Sequence, residues 1–185
     1  MNSLNKVIVK GILSLTLKVS KFAFHPMSFI EPISQGAQVP SFTFIEDGKS
    51  LNINSLNHYC LIYFYPKDDT PGCTKEACGL RDAWSDLQRA GLSVLGVSGD
   101  SEKSHLKFIE KYQLPFTLIA DTDLTLAKSF GVYGAKQFMG KTYQGIHRIS
   151  FLIAPGGTVA KSYLKVKPLQ HAAEVLEDHA KISQT

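Results

Sequence analysis

Three apolar runs constrain this chain more than any other feature: Cys60–Tyr65 (CLIYFY), Leu92–Ser98 (LSVLGVS) and Phe116–Ala120 (FTLIA). A run with no polar alternation is typical of a strand covered on both faces, as in a sheet flanked by helices. The stretches between them have helical period. Cys73–Arg89 predicts a helix, with Ala77, Leu80, Trp84 and Leu87 on one stripe. Ser101–Tyr112 predicts a second, with Asp100 as its N-cap and Pro115 beyond its end. Asp123–Phe130 reads as a short helix stopped by Gly131, and Pro168–His179 as a last amphipathic helix. A hairpin opens the order, Ser41–Ile45 and Ser50–Asn54 around the turn EDGK. Another closes it, Arg148–Ala154 and Thr158–Tyr163 around PGG. The expected fold class is α/β: a thioredoxin-like fold with a central mixed sheet flanked by helices and an N-terminal β-hairpin.

The 185 residues suit one domain, and no repeat or low-complexity tract interrupts them. Lysine and arginine number 20 against 16 acidic residues. Lys6, Lys10, Lys18 and Lys21, in a stretch of 30 residues without an acid, account for that whole excess. The body is neutral, so nucleic-acid binding loses its electrostatic basis. Lys10 and Lys18 bracket too few residues for a membrane span, and no small-residue cleavage site follows cleanly. A basic amphipathic targeting segment and a true start at Met27 both remain open. The expectation is a dispensable, poorly ordered extension over 1–30, a domain over 31–185, and no stable membrane association. Three cysteines argue against a disulfide-stapled secreted scaffold. They point to a reducing compartment, the cytoplasm.

Thr70-Pro71-Gly72-Cys73 is a helix-start signature. Thr70 can serve as N-cap, and Pro71 then stands at the first helical position, where its missing N–H costs nothing. Cys73 falls in the first turn, among unpaired backbone N–H groups and the positive end of the helix dipole, an environment that stabilises a thiolate. Cys78 follows five residues later. In an ideal helix, five residues rotate by roughly 140° and rise about 7.5 Å. A disulfide wants Cα atoms about 4.4–6.8 Å apart with converging Cβ vectors. An intact helix therefore keeps these two sulfurs apart as thiols, and pairing demands that its first turns unwind.

The segment YPKDDTPGCTKEACGLRD carries Pro66-x-x-x-Thr70-x-x-Cys73, which resembles the active-site motif of peroxiredoxins. The Cys-x-x-x-x-Cys spacing is similar to the peroxiredoxin Q subgroup, also called bacterioferritin comigratory proteins. The likeness continues through VLGVS, PFTLIADTD, FGVYG and FMGKTYQGIHRISFLI, so it spans residues 31–185 and leaves out the leader. It implies a thiol peroxidase acting on hydrogen peroxide and organic hydroperoxides. Cys73 would be the peroxidatic nucleophile, oxidised to a sulfenic acid. Thr70 would offer its hydroxyl to thiolate and peroxide, and Pro66 would shield the sulfur from bulk water. Arg148 would supply a fixed charge beside the thiolate and the leaving oxygen. Cys78 would resolve the sulfenic acid as an intramolecular disulfide, reduced in turn by thioredoxin or a glutaredoxin-like protein. Phe116 and Phe138–Met139 would be apolar walls of the pocket. The resemblance implies a monomer and calls for no cofactor and no metal.

Other chemistries have weaker signals. Ala135–Thr142 (AKQFMGKT) is one residue type away from a phosphate-binding loop, but Lys136, Gln137, Phe138 and Met139 are bulky and the downstream segment reads as strand. A disulfide reductase would use C-x-x-C, which is absent. Zinc would want about four ligands, and only two thiols lie close in sequence. Cys60 opens a buried strand and reads as inert packing. His147 adjoins Arg148, but neighbours on a strand point to opposite faces, so it reads as structural or exposed.

Overall fold

A computed structural model of the chain describes residues 7–8, 30–46, 48–138 and 140–184. The expectations for the leader beyond Val7–Ile8, and for the side chains of Phe138 and Met139, lie outside the described residues.

Strands β1 (Val7–Ile8), β2 (Thr43–Glu46), β3 (Lys49–Asn52) and β4 (Tyr59–Phe64) precede the first helices, α1 (Pro71–Asp82) and α2 (Trp84–Arg89). Then come β5 (Leu92–Ser98), α3 (Glu102–Tyr112), β6 (Thr117–Ala120) and α4 (Thr125–Ser129). The chain continues through β7 (Tyr133–Phe138), β8 (Lys141–Ile146), β9 (Ile149–Ala154), β10 (Thr158–Tyr163) and α5 (His171–Ile182). The central sheet has the order β1-β6-β5-β4-β9-β10. The three apolar runs lie side by side in it as parallel strands, with Leu61 opposite Val94 and Leu95 opposite Thr117. β9 joins β4 antiparallel, Leu61 opposite Leu152, and pairs with β10 in the expected closing hairpin. This mixed sheet between helices is the thioredoxin-like arrangement.

Period-two alternation divides the core between the two faces of the sheet. Cys60, Ile62 and Phe64 of β4 pack with Phe42, Phe44, Phe130 and Phe151. Leu61 and Tyr63, followed by Tyr65, face the helices with Cys73, Leu80, Phe116, Leu152 and Val175. Cys73 thus belongs to the wall of a packed core.

Three local expectations are corrected. The helix expected over 73–89 breaks at Ala83, where φ −87° and ψ 4° separate α1 from α2. Ser101, not Asp100, caps α3, accepting from the Ser104 N–H. The Asp100 carboxylate is taken up by the Asp68 N–H and the Ser98 hydroxyl. α5 begins at His171, because the chain makes a turn at Pro168–Gln170, with the Gln170 N–H bonded to the Lys167 carbonyl. The hairpin β7–β8 was not expected as a pair; its register places Gln137 opposite Thr142. Lys141 therefore opens a strand rather than a helix, which removes the context a phosphate-binding loop needs.

Candidate active site

β4 delivers the chain to the C-terminal edge of the sheet, and α1 starts seven residues beyond it. Thr70 is the N-cap, extended at φ −93° and ψ 149°, with Pro71 in the first turn as its locked ring favours. The Thr70 side chain makes no capping bond; its hydroxyl donates to the Lys67 carbonyl at 3.0 Å. Pro66 is exposed. Cys73 is a free thiol, only 1% exposed, in the first turn of α1.

Arg148 stands immediately before β9 and reaches back across α1. Its Nη2 donates to Cys73 Sγ at 3.2 Å, and its Nη1 donates to Glu76 Oε2. Gly72 makes room for this: a Cβ there would lie 3.1 Å from Arg148 Nη2. Sequence reading placed Thr70, Cys73 and Arg148 in one site but missed Glu76. The signal was present, since Glu76 follows Cys73 by three residues and so shares its helix face. Glu76 is fully buried, and its Oε1 is without a hydrogen-bond partner among the described residues.

The Arg148–Glu76 pair is lopsided. Burial opposes the arginine charge, but Glu76 and Cys73 outweigh it and hold the guanidinium firmly protonated. For the carboxyl, desolvation exceeds what Arg148 returns, and Glu76 is pushed up to about 7. Tyr63 lies beneath, stacked on Tyr65 with ring centroids 5.2 Å apart and edge-on to Phe116. Burial first, then Glu76, Asp68 and Cys73, raise its phenol far above the usual range.

Cys78 is half-buried and free, and α1 runs unbroken through both cysteines, as the spacing requires of the thiol form. Cys60 is buried, and desolvation pushes its thiol up to about 12, which leaves it unreactive. His147 Nε2 donates to the Ala135 carbonyl at 3.1 Å, a structural bond across the hairpin. Among the described residues no three His, Cys, Asp or Glu side chains cluster as a metal site, and no helix is long and apolar enough to cross a membrane.

A buried thiol at a helix N-terminus, bonded to arginine, is what known relatives can then be compared with. The AhpC/TSA family model matches residues 35–162. The chain belongs to that family. Relatives within it include peroxiredoxins of the Bcp, or peroxiredoxin Q, group. Peroxiredoxin Bcp of Escherichia coli is 44% identical over 156 residues, 82% of this chain and all of that protein. The bacterioferritin comigratory protein of Xanthomonas campestris is 40% identical, with a TM-score of 0.65 over 69% of this chain and 81% of its own. A cysteine-to-serine mutant of Xylella fastidiosa peroxiredoxin Q gives a TM-score of 0.70 at 29% identity, over 86% of this chain and 99% of its own. As a peroxiredoxin, this protein is a thiol peroxidase, with hydroperoxides as substrates and a thiol as reductant.

Proposed function

We propose that Cys73 is the peroxidatic thiolate, Cys78 the resolving thiol, and thioredoxin or a glutaredoxin-like protein the reductant, in a cytoplasmic monomer whose activity resides in residues 31–185. The observation that carries this reading is the Arg148 guanidinium joined to both Cys73 and Glu76 at the start of α1. The Cys73 thiolate attacks the distal oxygen of ROOH, the O–O bond breaks, and the products are Cys73 sulfenic acid and RO⁻, which takes a proton and leaves as ROH. Arg148 faces the charge both before and after the break. The Thr70 hydroxyl turns from the Lys67 carbonyl toward the peroxide as substrate arrives, and Pro66 closes over the sulfur. The Cys78 thiol then displaces water from the sulfenic acid, forming the disulfide that a dithiol reduces. The Xanthomonas campestris relative is described as having alkyl peroxide reduction activity, which supports organic hydroperoxides beside hydrogen peroxide as substrates.

The test is thiol mass spectrometry of the reduced protein before and after one equivalent of peroxide. The expected product is a Cys73–Cys78 disulfide; Cys73→Ser should abolish turnover, and Cys78→Ser should trap the sulfenic acid after one cycle. Full peroxidase activity in Cys73→Ser would sink the assignment.

A further inference from the structure

The loop between β4 and α1 must hold Thr70 and Cys73 in register with an arginine from another strand, yet it contains two consecutive aspartates. Asp68 is buried and accepts three side-chain bonds: from Tyr65 Oη at 2.7 Å, from Ser104 Oγ at 2.7 Å and from His105 Nδ1 at 2.8 Å. Its N–H donates to Asp100 Oδ2 at 2.8 Å. His105 is wholly buried, and its Nε2 lies 3.2 Å from the Ile119 carbonyl. A carboxylate and a carbonyl only accept, so the geometry assigns both ring nitrogens as donors. Burial works against the Asp68 charge, but His105, Ser104 and Tyr65 together hold its carboxyl below the usual range.

Asp69 has φ +54°, a left-handed conformation that is uncommon outside glycine. Its side chain accepts from Lys111 Nζ at 2.6 Å and from Tyr112 Oη at 2.5 Å. The two ends of α3 thus grip adjacent residues of the loop, Ser104 and His105 on Asp68, Lys111 and Tyr112 on Asp69. Arg81 Nη1 adds a third tie, from α1 to the Tyr112 carbonyl at 2.7 Å. A buried carboxylate is costly unless its acceptors are filled. Here that cost is concentrated five residues before Cys73.

We propose that Asp68 and Asp69 are positioning residues of the peroxide reaction: the α3 clamp fixes the loop so that Thr70 and Cys73 meet the peroxide in register with Arg148. This rests on Cys73 as the peroxidatic nucleophile. A misplacement of about 1 Å can cost on the order of 100-fold in rate.

The experiment is stopped-flow oxidation of Cys73 by hydrogen peroxide in reduced full-length protein, with thioredoxin-dependent disulfide reduction measured separately. Asp68→Asn and His105→Gln should slow the peroxide step by about 10- to 100-fold and leave the reductive step unchanged. His105→Asn, which keeps a donor where Nδ1 stood, should recover most of the loss; His105→Gln reaches toward Ile119 instead and should not. Tyr112→Phe and Asp69→Asn change only the solvent-facing half of the clamp and should slow the same step by a smaller factor. They decide the matter alone if a core variant fails to fold. Variants that lower the unfolding midpoint but keep the wild-type peroxide rate constant would show the clamp to be structural only. No Cys73 oxidation in the wild-type protein would overturn the assignment of Cys73 as the peroxidatic nucleophile itself.

Discussion

Glu76 is where burial and function meet at the scale of a single residue. On folding it takes up a proton across the window from its ordinary 4.5 to about 7. The folded state binds more protons than the unfolded chain there, so the stability this carboxyl contributes is full below 4.5 and declines as pH rises to about 7. With one pKa unit worth about 1.4 kcal/mol, the decline is on the order of 3 kcal/mol. His171 works the other way. Desolvation, then Arg148, push it down to about 4, with its Nε2 2.9 Å from the Ser150 hydroxyl. Folded protein binds fewer protons between about 4 and 6.5, so stability rises with pH across that range. The two slopes oppose each other. Glu76→Gln should remove the falling slope, so that in urea unfolding of the reduced proteins the stability of the variant relative to the wild type rises as pH goes from about 4.5 to 7. A variant profile parallel to the wild type would mean that Glu76 stays ionised throughout.

At the scale of the element, the proposed resolution by Cys78 asks α1 to be stable enough to present Cys73 and weak enough to let Cys78 reach it. Gly79, one residue past Cys78, supplies part of that weakness. A methyl group there would meet the Pro168 carbonyl at 3.5 Å, an ordinary contact. Gly79→Ala should therefore stabilise the reduced protein by roughly 0.5–1 kcal/mol. It should also reduce the unwound population and slow Cys73–Cys78 disulfide formation by up to about fivefold, read by quenched-flow alkylation after peroxide. Disulfide formation at the wild-type rate in a stabilised variant would mean that unwinding stops short of residue 79. The start of this helix was legible in the sequence because Pro71 acts locally, its locked ring suited to the first helical position. Its end was not. The stripe of Ala77, Leu80, Trp84 and Leu87 continues in phase across residue 83, and only tertiary packing, Trp84 against Phe116 with centroids 6.0 Å apart, turns the chain there. The pairing of β7 with β8 was illegible for a different reason: Lys141 to Gln144 are all exposed, so no alternation shows which face would pack or which strand would pair with it.

For the whole molecule, the same division runs through core and site. Apolar runs announced the three parallel strands, because burial on both faces leaves its mark in composition alone. Cys73 and Thr70 were legible from helix-start chemistry, and the tie from Arg148 to Cys73 came through the family resemblance. Glu76, Asp68 and His105 were not found, since a buried charged residue looks like a surface one until its partners, up to 72 positions away for Arg148 and Glu76, are known. The sheet couples these parts. Gly96 lies at the centre of β5 between Leu118 and Tyr63; a Cβ there would come within 2.5 Å of Leu118 Cδ2 and 2.7 Å of the Tyr63 ring and hydroxyl. Tyr63 is held by its stack on Tyr65 and its edge contact with Phe116, so it yields only by moving within the core cluster that includes Cys73. Gly96→Ala should destabilise the protein by about 1–3 kcal/mol through overpacking, and the displaced Tyr63 should slow oxidation of Cys73 by peroxide as well. Chemical unfolding and the peroxide rate constant, measured on the same preparation, test both halves. A loss of stability with an unaltered rate would show that the aromatic layer supports the fold without setting the position of the sulfur.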